Sequence, residues 1–146
     1  MSLSNAAENS LLLLIFNNTD FANVGDAGGL QNSAAAGSLY VALHTADPGE
    51  AGDQQTSEAT YTSYARVAVA RSGAGWTVTN NIADNTAAVN FPAATGGTNH
   101  ITHVSVGLAS AGASVILWSG ELTAHLDVSA GITPSFAAGA LDCSID

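Results

Sequence analysis

The chain has 146 residues, and at this length we expect a single domain that folds without metals or disulfides. Hydrophobic residues make up 47% of it and charged residues 10%, so Ser, Thr, Asn, Gly and Ala must cover much of the surface. Twelve acidic residues against two arginines and no lysine give a net charge of −10, which argues against nucleic acids or anionic membranes as partners.

The first predicted element is an N-terminal helix over residues 6–16. Asn5 followed by Glu8 resembles a capping box, with a carboxylate near the positive end of the helix. Residues 11–16 are apolar nearly all round, which predicts burial on more than one side. They pack either across the chain's own β core or against a neighbouring subunit. The candidate interface residues are Leu11, Leu12, Leu14, Ile15 and Phe16.

The N-terminal region shows no targeting or membrane segment. Its apolar run, residues 11–16, is too short to span a membrane and has no basic region before it, so we expect the protein to be made in a cytoplasm. Residues 21–37 are rich in Gly, Ala, Asn and Ser without a period, which predicts a flexible arm. The predicted organisation is a helix and arm over 1–37 and a β domain over 38–146, forming one structural unit overall.

From residue 38 onward apolar and polar side chains alternate, which predicts strands. Strands are expected at residues 38–44, 65–70, 75–80, 87–91, 102–108, 115–122, 126–129 and 141–145. Gly73 suggests one hairpin, residues 111–113 a second, and Gly120 a bulge. The spacing predicts a mainly β fold: a single antiparallel β-sandwich or barrel-like (β-tulip-like) domain with one N-terminal helix.

A turn-rich acidic loop is predicted over residues 45–60. Asp47, Glu50 and Asp53 within it offer the hard oxygen ligands that Ca²⁺ prefers, and they form a weak Ca²⁺ candidate. The loop lacks the spacing of an EF-hand, so we expect a solvated loop and no bound metal. The same three carboxylates are candidate interface residues.

The remaining residues show no catalytic pattern. His100 and His103 are three positions apart, and His103 lies in a predicted strand, where positions three apart point to opposite faces; His125 is predicted in a turn. There is no Gly-x-Ser-x-Gly motif and no glycine-rich phosphate loop with its lysine. Cys143 alternates with apolar neighbours, which predicts a buried structural thiol. We therefore expect no catalytic residues, no cofactor and no enzymatic activity.

Both tryptophans lie in predicted strands. An exposed tryptophan serves as a stacking platform for a sugar, whereas a buried one fills the core. Trp118 lies in the apolar run 115–118 and is predicted to be buried, while both interpretations stay open for Trp76.

The chain carries seven segments in a fixed order. They are the helix with its leucine run, LYVALHTADP (39–48), YARVAV (64–69), VNFP (89–92), THVSVG (102–107), LWSGEL (117–122) and FAAGAL (136–141). As an ordered set over nearly the whole chain, they resemble a family of small phage structural proteins, often labelled tail-fibre-like or capsid decoration (cement) proteins.

The resemblance implies a role on the virion rather than catalysis, for a protein made in the host bacterial cytoplasm. As a capsid decoration protein, the chain would bind the outer surface of the major capsid protein shell as a trimer and stabilise it. Two alternatives stay open: a tail- or fibre-associated virion protein, and a host-glycan-binding module. The glycine- and alanine-rich stretch 21–37 and the high acidity depart from the family pattern, which leaves the contact surface open.

Overall fold

The computed structural model describes residues 1–145, with 37% of the chain in strands and 9% in a helix. This composition confirms the predicted fold class, which is mainly β and antiparallel with one N-terminal helix. In chain order the elements are α1 Asn5–Asn17, β1 Ser38–His44, β2 Val67–Ala70, β3 Trp76–Thr79, β4 Ile82–Asn85, β5 Val89–Asn90, β6 Asn99–Gly107, β7 Ile116–Val128, β8 Ser135–Phe136 and β9 Asp142–Ser144.

The chain divides into two compact units, each built from separated stretches. Unit 1 combines Met1–Ser38 and Val69–Ala88 with the stretch that starts at Phe136. Unit 2 combines Leu39–Ala68 with Val89–Ser135. The helix and the arm therefore belong to the same unit as strands from the middle and the end of the chain.

Helix α1 starts one residue earlier than predicted. Its N-cap is Ser4, whose side chain accepts a hydrogen bond from the Ala7 N–H at 3.4 Å, so Asn5 lies inside the helix and is not the cap. Asn18 ends the helix in the left-handed conformation at φ 54°. No helix within residues 1–145 is long and apolar enough to cross a membrane.

The arm after α1 contains no helix or strand, as predicted. The Asn18 side chain donates to the Ser33 carbonyl at 2.8 Å and accepts from the Ser33 N–H at 2.9 Å. Phe21 and Leu30 form an isolated antiparallel bridge between these points. The arm is thus a loop that hydrogen-bonds to itself.

In unit 1, α1 packs against β3 and β4 of an antiparallel sheet with the order β3-β4-β9. Leu12 and Phe16 are fully buried, and the Phe16 ring meets the buried Trp76 ring edge-on, 4.8 Å between centroids. The buried Asn85 side chain accepts from the Leu141 N–H at 2.9 Å, which fixes the C-terminal stretch. This unit therefore combines an aromatic core with one buried amide that satisfies backbone groups.

In unit 2 the strands β1, β6 and β7 are neighbours in that order in an antiparallel sheet. β1 and β6 are antiparallel, in a register that pairs Ala42 with Ser105 and His44 with His103. The consecutive residues from Val41 to His44 are all buried, as expected for a strand with neighbours on both edges and both faces covered. β7 forms one edge of the sheet.

Strand β7 corrects two predictions. It is one long element in place of the two strands predicted there, so His125 lies in a strand and not in a turn. Gly120 pairs regularly with Val104 and marks no bulge. The irregularity lies further along, where residues 122–125 face a single residue of β6, Thr102.

The hairpin suggested at Gly73 is wrong, because β2 pairs with β1 and β3 pairs with β4. The hairpin predicted at residues 111–113 is confirmed by the antiparallel pairing of β6 with β7. The alternation of apolar and polar residues does not predict β4, because its buried positions are Ala83 and Asn85 rather than large apolar residues. It does not predict β8, because that strand has only two residues.

Candidate functional site

Unit 2 contains a buried ion pair, Arg66 with Glu58, that is joined by two parallel hydrogen bonds. The Arg66 side chain is 1% exposed, and it donates to Glu58 from Nε to Oε1 at 2.7 Å and from Nη2 to Oε2 at 2.8 Å. Hydrogen bonding to Glu58 raises the pKa of Arg66 and outweighs the effect of burial. The two parallel hydrogen bonds give the pair a bidentate geometry, which is stronger and more directional than a single neutral hydrogen bond.

The same guanidinium holds the turn between β6 and β7. Nη1 donates to the Ala109 carbonyl at 2.9 Å and Nη2 to the Gly112 carbonyl at 2.7 Å. Gln54, which is fully buried, adds a main-chain bond from its N–H to the Ser114 carbonyl at 2.9 Å. We call Arg66, Glu58 and Gln54 the unit 2 clamp, because together they fasten this turn to the acidic loop.

A serine and a histidine meet beside the clamp. His44 Nε2 lies 2.7 Å from the Ser105 Oγ, and His44 Nδ1 lies 2.8 Å from the Thr56 carbonyl oxygen. This resembles the contact of a nucleophile with its general base. Both side chains are buried to within 1% exposure, and burial lowers the pKa of His44, so the pair is a neutral link between the acidic loop and the sheet.

Sequence reasoning does not find the pair of His44 and Ser105. The two residues are 61 positions apart and lie in neither a motif nor a shared turn. Only the register of β1 against β6 brings them together. No local signal in the sequence indicates this contact.

The acidic loop uses its carboxylates in local turns. Asp47 accepts from the Gly49 N–H at 2.8 Å, and Asp53 accepts from the Gln55 N–H at 2.8 Å, while Glu50 is exposed. Within residues 1–145 no group of three or more His, Cys, Asp or Glu is arranged to hold a metal ion. The three predicted Ca²⁺ ligands are therefore not brought together as a set.

The histidines at the edge of unit 2 contact carboxylates one to one. His100 lies 2.6 Å from Asp127, and His125 lies 3.1 Å from Glu121. The His100 and His125 rings meet edge-on at 5.2 Å. The irregular segment of β7 thus sets two exposed histidines beside each other, whereas His103 contacts the Thr102 hydroxyl instead.

Unit 1 has its own arginine, which holds the end of α1. Arg71 donates from Nη2 to the Leu14 carbonyl at 2.7 Å, from Nε to the Ile15 carbonyl at 2.6 Å, and from Nη1 to the Ala36 carbonyl at 3.1 Å. A cation at the C-terminal end of a helix also opposes the negative end of the helix dipole. We call Arg71 the unit 1 clamp.

The candidate interface residues of α1 separate into two groups. Leu12 and Phe16 are fully buried within unit 1 and belong to its core. Leu11, Leu14 and Ile15 are half-buried. Their contact with a neighbouring subunit stays a prediction.

The other predicted positions have clear environments. Cys143 is buried as predicted, and burial, with smaller effects of Asp142 and Asp84, raises the pKa of its thiol to about 12. Trp76 is fully buried, so it cannot serve as a stacking platform. Trp118, predicted to be buried, is half-buried.

A protein-family model described as podophage GP4 fiber I protein gp80 matches residues 2–144. The chain belongs to this family. It is therefore a phage structural protein located in the virion, which confirms the coarser part of the resemblance. No curated protein matches the chain.

Proposed function

We infer that the chain is a non-enzymatic structural subunit of a phage fibre, and that it acts by packing against other virion proteins. The observation that carries this inference is the match to a fibre protein family over residues 2–144.

The interior of unit 2 supports this function. Its strongly polar groups, Arg66, Glu58 and His44, all bond to segments of the same unit, and each is buried or nearly so. A catalytic residue needs a reacting atom within hydrogen-bond reach, which a buried and satisfied group does not offer. We propose that these residues hold loops, and that the chain uses no cofactor and no nucleic acid.

The second candidate is a capsid decoration protein that binds the outer surface of the major capsid protein shell as a trimer. It is favoured by the ordered set of segments, including residues 39–48 and 102–107, which resemble cement proteins. The third alternative, a host-glycan-binding module, loses its main support because Trp76 is buried in the core of unit 1.

The test is immunogold electron microscopy of purified virions, together with mass spectrometry of the same particles. We expect the chain to be detected in the virions and the gold to lie on the fibres. Gold spread over the capsid shell would select the second candidate. Absence of the chain from the particles would overturn both.

A further inference from the structure

The turn between β6 and β7 exposes two large apolar side chains. Leu108 is 51% exposed and Val115 is 61% exposed, and residues 109–114 between them are Ala, Ser and Gly. The Leu108 N–H donates to the Ser114 Oγ at 3.2 Å, which brings the two ends of the turn together. We call residues 108–115 the hairpin tip. It presents apolar surface to solvent on a charge-free segment, as protein contact sites do.

The unit 2 clamp holds the hairpin tip through hydrogen bonds to three of its carbonyls. Arg66 bonds the carbonyls of Ala109 and Gly112, and Gln54 bonds the carbonyl of Ser114. Burying an ion pair costs desolvation energy, and a turn that only connects two strands does not need one. A turn that must enter a binding site does benefit, since a segment already fixed loses little entropy on binding.

The hairpin tip carries no charge, and the one cation that contacts it, Arg66, is buried and paired with Glu58. No charged residue occurs in the sequence between Asp84 and Glu121, so the tip itself is neutral. The acidic loop meets the tip through Gln54, whose chain neighbour is Asp53, and Glu50 lies three residues before that. The acidic loop, which carries Asp47, Glu50 and Asp53, is therefore hydrogen-bonded to the apolar tip through Gln54.

We propose that the hairpin tip docks into an apolar socket on a different virion protein, whose rim carries Lys or Arg opposite Asp47, Glu50 and Asp53. This proposal rests on the proposed function, in which the chain packs against other virion proteins. A second copy of this chain does not fit the requirement. It has no lysine, its Arg66 side chain is 1% exposed, and its Arg71 is engaged with the end of α1.

The first test uses photo-crosslinking in assembled virions. Host cells supply the full chain with a photoreactive phenylalanine analogue at Val115, in place of the wild-type chain, and virions are purified and irradiated. The matched control carries the analogue at Ile132, an exposed apolar residue of the same unit outside the hairpin tip. We expect one crosslinked product with a different polypeptide from position 115, and no such product from position 132.

The outcomes of this test separate the two proposals. Crosslinks from position 115 only to a second copy of the chain, or the same yield from both positions, would overturn the docking proposal while the chain remains a virion protein. Absence of the wild-type chain from virions would instead overturn the proposed function, and the docking proposal with it.

The second test changes the charge beside the tip. Glu50 is exposed, and we expect Glu50→Lys to lower the amount of chain incorporated into virions by about tenfold. Incorporation of Glu50→Gln should lie between that of Glu50→Lys and that of the wild type. Asp26→Lys, an exposed position in unit 1, makes the same change in net charge and serves as the control. Melting temperatures of the purified variants establish that they fold. Equal incorporation of Glu50→Lys and Asp26→Lys would contradict the cationic rim.

Discussion

Unit 1 and unit 2 each contain one of the chain's two arginines, and the two guanidinium groups have different partners. Arg66 forms a buried ion pair with Glu58 and also holds two carbonyls of a turn. Arg71 is half-buried, and the hydrogen bonds that hold α1 run to backbone carbonyls at its C-terminal end. Arg66 thus fastens a turn to the acidic loop, whereas Arg71 fastens the end of α1 to the arm.

The difference between the two clamps lies in what each arginine would leave behind. Removal of Arg66 leaves a carboxylate, 16% exposed, without its cation. Removal of Arg71 leaves helix carbonyls at a half-exposed position, where water can replace the donor. Removal of Arg66 leaves a charge without a counter-ion, whereas removal of Arg71 leaves only carbonyl dipoles. The two changes should therefore lower the free energy of unfolding by different amounts.

Arg66→Met should have the largest effect of any variant considered. We expect the free energy of unfolding to fall by about 3–5 kcal/mol, because the largely buried Glu58 carboxylate loses its cation and keeps the Tyr64 hydroxyl, 3.0 Å away, as a neutral donor. Urea denaturation followed by circular dichroism measures the change. The double variant Arg66→Met with Glu58→Gln removes the buried charge as well, and it should recover part of the loss. A double variant no more stable than the single one would contradict this explanation.

Gly107→Ala should break the same clamp without touching its charges. A Cβ at this position would come within 2.6 Å of the Val115 carbonyl oxygen and would also collide with the Gln54 side chain. We expect a loss of about 1–3 kcal/mol in the same urea measurement. Gly120→Ala, in β7 of the same sheet, has open space around its Cβ and should change stability by less than about 0.5 kcal/mol. Equal effects at the two glycines would show that Gln54 does not need this close approach.

Arg71→Met should cost less than Arg66→Met, about 1–2 kcal/mol, since it removes bonds to carbonyls and no buried charge loses its partner. Amide hydrogen exchange in the last turn of α1 measures the local loss of stability, and we expect faster exchange there. Arg71→Lys keeps the positive charge at the helix end and should retain part of the protection. A loss as large as that of Arg66→Met would remove the distinction between the two clamps.

Two titratable groups, His44 in unit 2 and Asp84 in unit 1, should contribute to stability with opposite pH dependence. In unit 2, burial lowers the pKa of His44 from its ordinary 6.5, so below that pH the unfolded chain binds a proton that the folded unit does not, and stability falls. In unit 1, burial and the hydrogen bond with Asp142 raise the pKa of Asp84 above its ordinary 3.8. The contribution of Asp84 to stability is fully present below pH 3.8 and is lost as the pH rises through the raised pKa of Asp84.

Asp84→Asn tests this smallest effect, because Asp84 lies directly opposite Asp142 in the pairing of β4 with β9. At neutral pH we expect the variant to be more stable than the wild type by about 0.2–1 kcal/mol. At about pH 3, where the wild-type carboxyl is protonated, the gain should vanish. Thermal melts at the two pH values measure the difference. A gain that persists in acid would mean that charge repulsion is not its source.

Local patterns predict the regular elements but not the clamps. β1 and β9 follow from apolar alternation within the strand itself, and the helix follows from its capping pattern and its apolar run. The helix cap is displaced by one residue because Ser4 and Asn5 are adjacent and both residue types make good N-caps. The bond from Arg66 to Gly112 joins positions 46 residues apart, and that of His44 to Ser105 depends on the register of two strands, which no local pattern encodes.

The candidate surfaces divide in the same way. The leucine run predicts burial correctly for Leu12 and Phe16, because a buried helix face has a local signature. The hairpin tip is not visible as a surface in the sequence, since Leu108 and Val115 continue the apolar alternation of the strands that they flank. Their exposure follows from the end of the β6–β7 ladder, which only the structure shows.

The most direct test of the proposed function is a cryo-EM reconstruction of the intact virion at a resolution that distinguishes individual chains. We predict density for this chain in the fibres, with the hairpin tip seated against a different polypeptide. Density for the chain on the capsid lattice, or its absence from the fibres, would contradict the proposal.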